Sequence, residues 1–93
     1  MTQPRTLRTA NKFEKEIELA KRRGKDMLKL RAIIDLLITR QPLPREACDH
    51  PLKGQWIGYR DLHIEPDWLL IYKADDTDLW LYRTGTHADI FGT

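Results

Sequence analysis

Cysteine is almost missing from this chain of 93 residues: Cys48 stands alone, so no intramolecular disulfide can form. Long apolar runs are missing too. No stretch can span a bilayer, and the first residues lack the apolar core of a secretory signal. A reducing cytoplasm is the expected compartment, with no membrane partner. There is no HExxH or CxxC spacing, no repeat, no low-complexity segment and no serine or cysteine nucleophile in a suitable motif. Zinc held by the three histidines and Asp67 therefore ranks below acid–base work, and neither a metal nor a cofactor is expected.

What is present is charge, unevenly placed. Charged residues make up 32% of the chain, yet the net charge is only +2. Residues 1–47 hold 12 Lys or Arg against 6 Asp or Glu; residues 48–93 hold 4 against 8. A basic half that grips a polyanion beside an acidic half that acts on it is one reading; charges that merely cover helix faces are the other. The length predicts one domain, residues 1–93, with a small core.

Along the chain, Arg5 to Thr9 is a short strand candidate. Asn11 with Glu14 three residues later makes a capping-box pattern, and Phe13, Ile17 and Ala20 form an apolar helical stripe. Gly24 stops that helix. A second begins after Asp26, burying Met27, Leu30, Ile34, Leu37 and Ile38, and the short link makes the two a hairpin. Pro42 and Pro44 end it. Tyr59 to Ile64 alternates, with Leu62 and Ile64 on one face and Asp61 and His63 on the other. Trp68 to Lys73 reads as a central strand, and Asp78 to Arg83 as its returning neighbour. Gly85 breaks that strand, and His87 to Phe91 is a helical turn or an extended tail. The fold class is α+β: a helical hairpin on one face of a mainly antiparallel sheet, with the face bearing Asp61 and His63 left open.

The chemistry gathers in the C-terminal half, where His50, His63 and His87 each lie near carboxylates. Histidine is the side chain best suited to moving protons near neutral pH. Asp61 can fix the tautomer or raise the basicity of His63, and Asp67 follows four residues on. Arg83 offers a planar fork that matches phosphate oxygens, unless it pairs with Asp61 or Asp67. Lys53, Arg60 and the cluster Lys21, Arg22, Arg23 and Lys25 are candidate phosphate contacts. Trp56, Trp68 and Trp80 read as core rather than base platforms, Trp56 from a loop bounded by Gly54 and Gly58, and Phe91 taken alone reads as a core plug. The set suggests acid–base chemistry on a phosphate ester.

The stretch Asp49-His50-Pro51-Leu52-Lys53-Gly54 is the first of three telling segments. The others are the run from Gly58 to Trp68 and the ending Arg83-Thr84-Gly85-Thr86-His87 with Phe91. Together they closely resemble the YafQ-like toxins of the RelE/ParE superfamily of type II toxin–antitoxin systems, and the likeness runs from about residue 5 to the end. The resemblance implies a RelE-like, microbial-RNase-like fold. It also implies ribosome-dependent cleavage of mRNA in the decoding site, among 16S rRNA contacts. A DinJ-like antitoxin would wrap the toxin, and operator DNA would be reached only through that complex. The matching site positions are His50, Asp61, His63, Asp67, Arg83, His87 and Phe91. RelE proper relies more on Lys, Arg and Tyr. The alternative is a non-catalytic, ParE-like inhibitor that binds gyrase or the ribosome.

Overall fold

The structure is a computed structural model and describes residues 3–92. Strand β1 (Thr6–Thr9) leads into helices α1 (Asn11–Arg22) and α2 (Met27–Ile38). A two-residue strand β2 (His50–Pro51) follows, then β3 (Arg60–Glu65), β4 (Trp68–Ala74), β5 (Asp78–Gly85) and the short helix α3 (His87–Phe91). All five strands form one sheet in the order β1-β5-β4-β3-β2. Only β1 pairs in parallel, with β5; the remaining pairs are antiparallel. The α+β class and the mainly antiparallel sheet are as expected.

Both helices start and stop for local reasons, one of them not the expected one. The capping box of Asn11 and Glu14 does not form. The Ala10 N–H donates to Leu81 O at 3.0 Å, which carries the β1–β5 pairing one residue further. The helix then begins against Ala10, whose carbonyl accepts the Glu14 N–H at 3.2 Å, and Asn11 falls inside the first turn. After α1, Gly24 takes φ +77°, a left-handed turn that favours glycine. Asp26 caps α2 as expected, accepting the Leu28 N–H at 2.9 Å. The residues α2 buries are Leu30, Ile33 and Leu37, while Met27, Ile34 and Ile38 flank them. The apolar face is thus rotated slightly towards Ile33. The helix ends ahead of Pro42, where Arg5 donates from Nη1 to the Leu37 carbonyl at 2.7 Å.

The sheet's inner face presents Leu62, Trp68, Leu70, Tyr72, Leu79 and Leu81 to Phe13, Ala20, Leu30, Ile33 and Leu37. Polar atoms in this layer are matched. The Trp68 indole N–H donates to Thr84 Oγ1 at 2.9 Å, and that hydroxyl donates to Leu69 O at 2.7 Å. The outer face is not left open, contrary to expectation. Leu69 and Ile71 are fully buried and Asp61 is 4% exposed. The segment after β2 crosses this face: Tyr59 lies 4.6 Å, centroid to centroid, from Tyr82 on β5. α3 closes it from the other end. The two-residue strand β2, which positions the crossing, is too short for any alternation to reveal.

Candidate active site

The sheet register brings the histidines together. His50 on β2 pairs with Asp61 on β3, and His63 on β3 pairs with Leu69 on β4. Leu69 pairs in turn with Gly85 at the end of β5, just before the helix that opens with His87. Three segments distant in sequence thus deliver their imidazoles to one end of the outer face. The His63 and His87 rings meet edge to face at 5.5 Å between centroids.

Two of the imidazoles have one nitrogen held. His87 Nδ1 lies 2.6 Å from Asp67 Oδ1, and the same oxygen accepts the His87 backbone N–H at 2.9 Å. That pair of hydrogen bonds, the backbone one foremost, holds the Asp67 carboxyl below its ordinary range. With Asp67 ionised, Nδ1 is the donor and Nε2 is left to exchange protons. His50 repeats the scheme with a different partner: its Nδ1 donates to the Cys48 carbonyl at 2.7 Å. Cys48 sits at φ 49°, a left-handed residue that aims its carbonyl back at the ring. The second nitrogen of His50, Nε2, lies 3.6 Å from Asp61 Oδ2.

Asp61 is the unusual carboxylate. Burial pushes its pKa up, partly countered by His50, His63 and His87. Its Oδ1 is buried and has no hydrogen-bond partner among the described residues. A negative charge there is opposed by burial and favoured by the three neighbouring imidazoles. The partner expected for Asp61 was His63, on the same strand. The closer imidazole is His50, because β2 pairs directly beside it.

α3 is built to place His87. Thr86 accepts the Asp89 N–H at 3.0 Å, and Asp89 Oδ2 accepts the Thr86 N–H at 3.0 Å, a complete capping box. Asp89 is also bound by Arg23 Nη1 at 2.7 Å, which ties the end of α1 to α3. Arg23 foremost, then the Thr86 amide, lowers the Asp89 pKa to about 2.

Several expected phosphate contacts are occupied otherwise. Arg83 directs Nε and Nη2 at Glu16, both at 2.9 Å, with its side chain 14% exposed; its partner is neither Asp61 nor Asp67. Arg60 binds Asp49, which also accepts from the Tyr72 hydroxyl, so it braces the residue next to His50 from the inner side of the sheet. Lys21 lies 3.4 Å from Glu18, and Lys25 lies 3.3 Å from Glu65. With Arg23 on Asp89, three of the four cations in the cluster are matched by carboxylates, from α1 itself, the end of β3 and α3. Arg22 and Lys53 are exposed and form no salt bridge among the described residues. Phe91 ends α3 with its ring 6.4 Å from Trp56. Trp68 is core as expected, but Trp56 and Trp80 are only half-buried. Among the described residues, no group of three or more His, Cys, Asp or Glu is placed to hold a metal ion, and no helix is long and apolar enough to cross a membrane.

Fold and site together define a small bacterial toxin domain of the type II toxin–antitoxin class. Residues 5–92 match the family described as "Bacterial toxin of type II toxin-antitoxin system, YafQ", and the chain belongs to that family. It is 51% identical over 89 residues to the mRNA interferase toxin YafQ of Escherichia coli K12, covering 95% of this chain and 97% of the relative. The toxin in the E. coli DinJ–YafQ complex superposes with a TM-score of 0.89 at 50% identity, covering 96% of this chain and 99% of the other. E. coli YafQ solved from strain BL21(DE3) gives a TM-score of 0.90 at 49% identity, covering 95% and 99%.

Proposed function

We propose that this chain is an mRNA interferase, an endoribonuclease that cuts mRNA on the ribosome and so stops translation. The observation that carries the reading is the matched pair of tethered imidazoles. His50 and His87 each have Nδ1 fixed, by Cys48 O and Asp67, which leaves Nε2 for proton transfer. One group removes the 2′-hydroxyl proton, the freed oxygen attacks the adjacent phosphorus, and a second group protonates the leaving 5′-oxygen. The products are a 2′,3′-cyclic phosphate, or the 3′-phosphate it yields, and a 5′-hydroxyl. Asp61 stabilises imidazolium at His50 and His63, and Asp67 does so at His87. The reaction needs no metal bound by the toxin. Stoichiometric zinc in the purified protein, lost together with activity, would count against that.

Arg83 is the group best shaped for the phosphorane. Reaching it means exchanging the Glu16 carboxylate for a phosphate, so the fork stays filled. Phe91 and Trp56 at the end of α3 offer faces for an unstacked base. Lys53 and Arg22, exposed and without salt bridges, remain the plain phosphate contacts, and Lys21 is the next most available. The ribosomal site supplies 16S rRNA around them. Outside translation, a DinJ-like antitoxin covers this face in the cytoplasm, and operator DNA is bound only through that complex. A purely binding inhibitor of gyrase would have no use for two imidazoles tethered in this way.

Mapping 5′ ends of cellular mRNA shortly after induction tests the reading. New 5′-hydroxyl ends within translated codons are expected, and they should vanish with His87→Gln. Growth arrest with intact mRNA would sink it.

A further inference from the structure

Five aromatic rings form an unbroken line across the outer face of the sheet. It begins at the active-site end, where Phe91 meets Trp56 at 6.4 Å. Trp56 meets Tyr59 at 5.4 Å, Tyr59 meets Tyr82 at 4.6 Å, and Tyr82 stacks near Trp80 at 6.0 Å with 23° between planes. All five rings are half-buried, and none belongs to the core cluster. Their placement follows from strand alternation: Leu79 and Leu81 point into the core, so Trp80 and Tyr82 point out.

Cations accompany the line. Lys73, which pairs with Trp80 in the sheet, holds its ammonium 5.8 Å from the Tyr59 centroid. It is exposed and forms no salt bridge among the described residues. Arg8, in register with Trp80 on the far side, lies 5.7 Å from that ring, while its Nε is 2.9 Å from Asp78. A satellite apolar cluster would account for rings that bury one another. It would not account for five part-exposed rings in a line, with cations over two of them, leading out of a nuclease site. Alternating π-faces and cations are the surface on which single-stranded nucleic acid lies, because every base has a stackable face and every nucleotide a charge.

We propose that this line is a track for single-stranded RNA, taking the unpaired nucleotides that flank the bond to be cut. The inference rests on the nuclease reading above and extends it beyond the scissile phosphate. Affinity then grows with the number of nucleotides beyond the cut, up to the length that reaches Trp80, and carries little base preference.

The test uses the full chain in a His87→Gln background, so that RNA survives, and labelled oligouridylates of graded length read by fluorescence anisotropy. Trp80→Ala should weaken binding of the longer oligomers roughly tenfold and leave the shortest unaffected, while Trp80→Phe restores most of the loss. Lys73→Gln should reduce the salt dependence of binding by about 0.7 in log–log slope. Lys73 is exposed, so that measurement decides even if Trp80→Ala fails to fold. Unchanged length dependence and salt slope in folded variants would overturn the track. So would variants that bind RNA normally but lose the antitoxin, which would assign the face to a protein partner. Cleavage of ribosome-bound mRNA by the otherwise native chain is measured in parallel. Its presence with a failed track leaves the nuclease reading standing, and its absence removes that reading itself.

Discussion

The two faces of one sheet obey different rules. The inner face is apolar, and its polar atoms are matched: the Trp68 indole N–H and the Thr84 hydroxyl to each other and to the Leu69 carbonyl, and the Tyr72 hydroxyl to Asp49. The outer face carries a buried carboxyl with an unpartnered oxygen, three imidazoles and a line of half-exposed rings. Strand alternation alone separates them, since Asp61 and Leu62 are neighbours in sequence and both are buried. Leu62 contributes stability, whereas burial of the Asp61 carboxyl opposes it, in keeping with the catalytic role proposed above. The contrast teaches that burial does not identify core residues here; the satisfaction of polar atoms does.

The strongest way to break this division is at His87. His87→Gln should lower single-turnover cleavage of ribosome-bound mRNA by roughly 10²–10⁴-fold with little change in melting temperature. A rate within a few-fold of the starting protein would remove His87 from the mechanism.

On the other face, Leu62→Ala should cost about 2–5 kcal/mol in denaturant unfolding, with cleavage per folded molecule nearly unchanged. If activity fell more than stability, the faces would be coupled.

Asp61→Asn sharpens the contrast further, because it should separate the two properties in one residue. The Asp61 pKa is raised by burial, so the fold favours its neutral form. Its contribution to stability is therefore fully present below the ordinary aspartate value and is lost as pH rises through the raised one. The Asn variant should match the Asp protein at low pH and equal or exceed its stability at neutral pH, while losing most cleavage. A destabilised Asn variant at neutral pH would show that the charge is held more comfortably than its burial implies.

Smaller is the effect of Asp89→Ala, which removes both a helix cap and the partner of Arg23. A loss of about 1 kcal/mol is expected from the cap, read as a lower melting temperature at neutral pH. Since the Asp89 pKa is lowered to about 2, its stabilisation exists above the ordinary aspartate value and fades as pH falls towards 2. The two proteins should converge there. Smallest of all, Arg22→Gln should leave stability unchanged and weaken ribosome binding slightly, with a shallower salt dependence.

Much of this was legible in the sequence. Alternation through Asp61, Leu62 and His63 marked which residues face outward, and Asp26 announced the start of α2. The site residues came partly from their chemical type and partly from the family likeness, and the sheet register now explains how His50, His63 and His87 reach one another. What could not be read were pairings made across the sheet. Arg83 finds Glu16 on α1, and His50 finds Asp61, through contacts that no local spacing encodes. The cluster at the end of α1 looked like a phosphate grip because its carboxylate partners, Glu65 and Asp89, lie far along the chain. Trp80 was read as core because the crossing segment that turns its face into a line of rings depends on a strand of two residues.

The parallel pairing of β1 with β5 has a consequence for timing. Thr6 to Thr9 zip onto Asp78 to Leu81, from opposite ends of the chain, and α3 packs beyond that strand with His87. Pairings so distant form slowly, because a long loop must close before any contact rewards it. The end of the sheet that carries His87 is therefore completed only after residues about seventy positions apart have met, which makes it a late-assembling part of the fold.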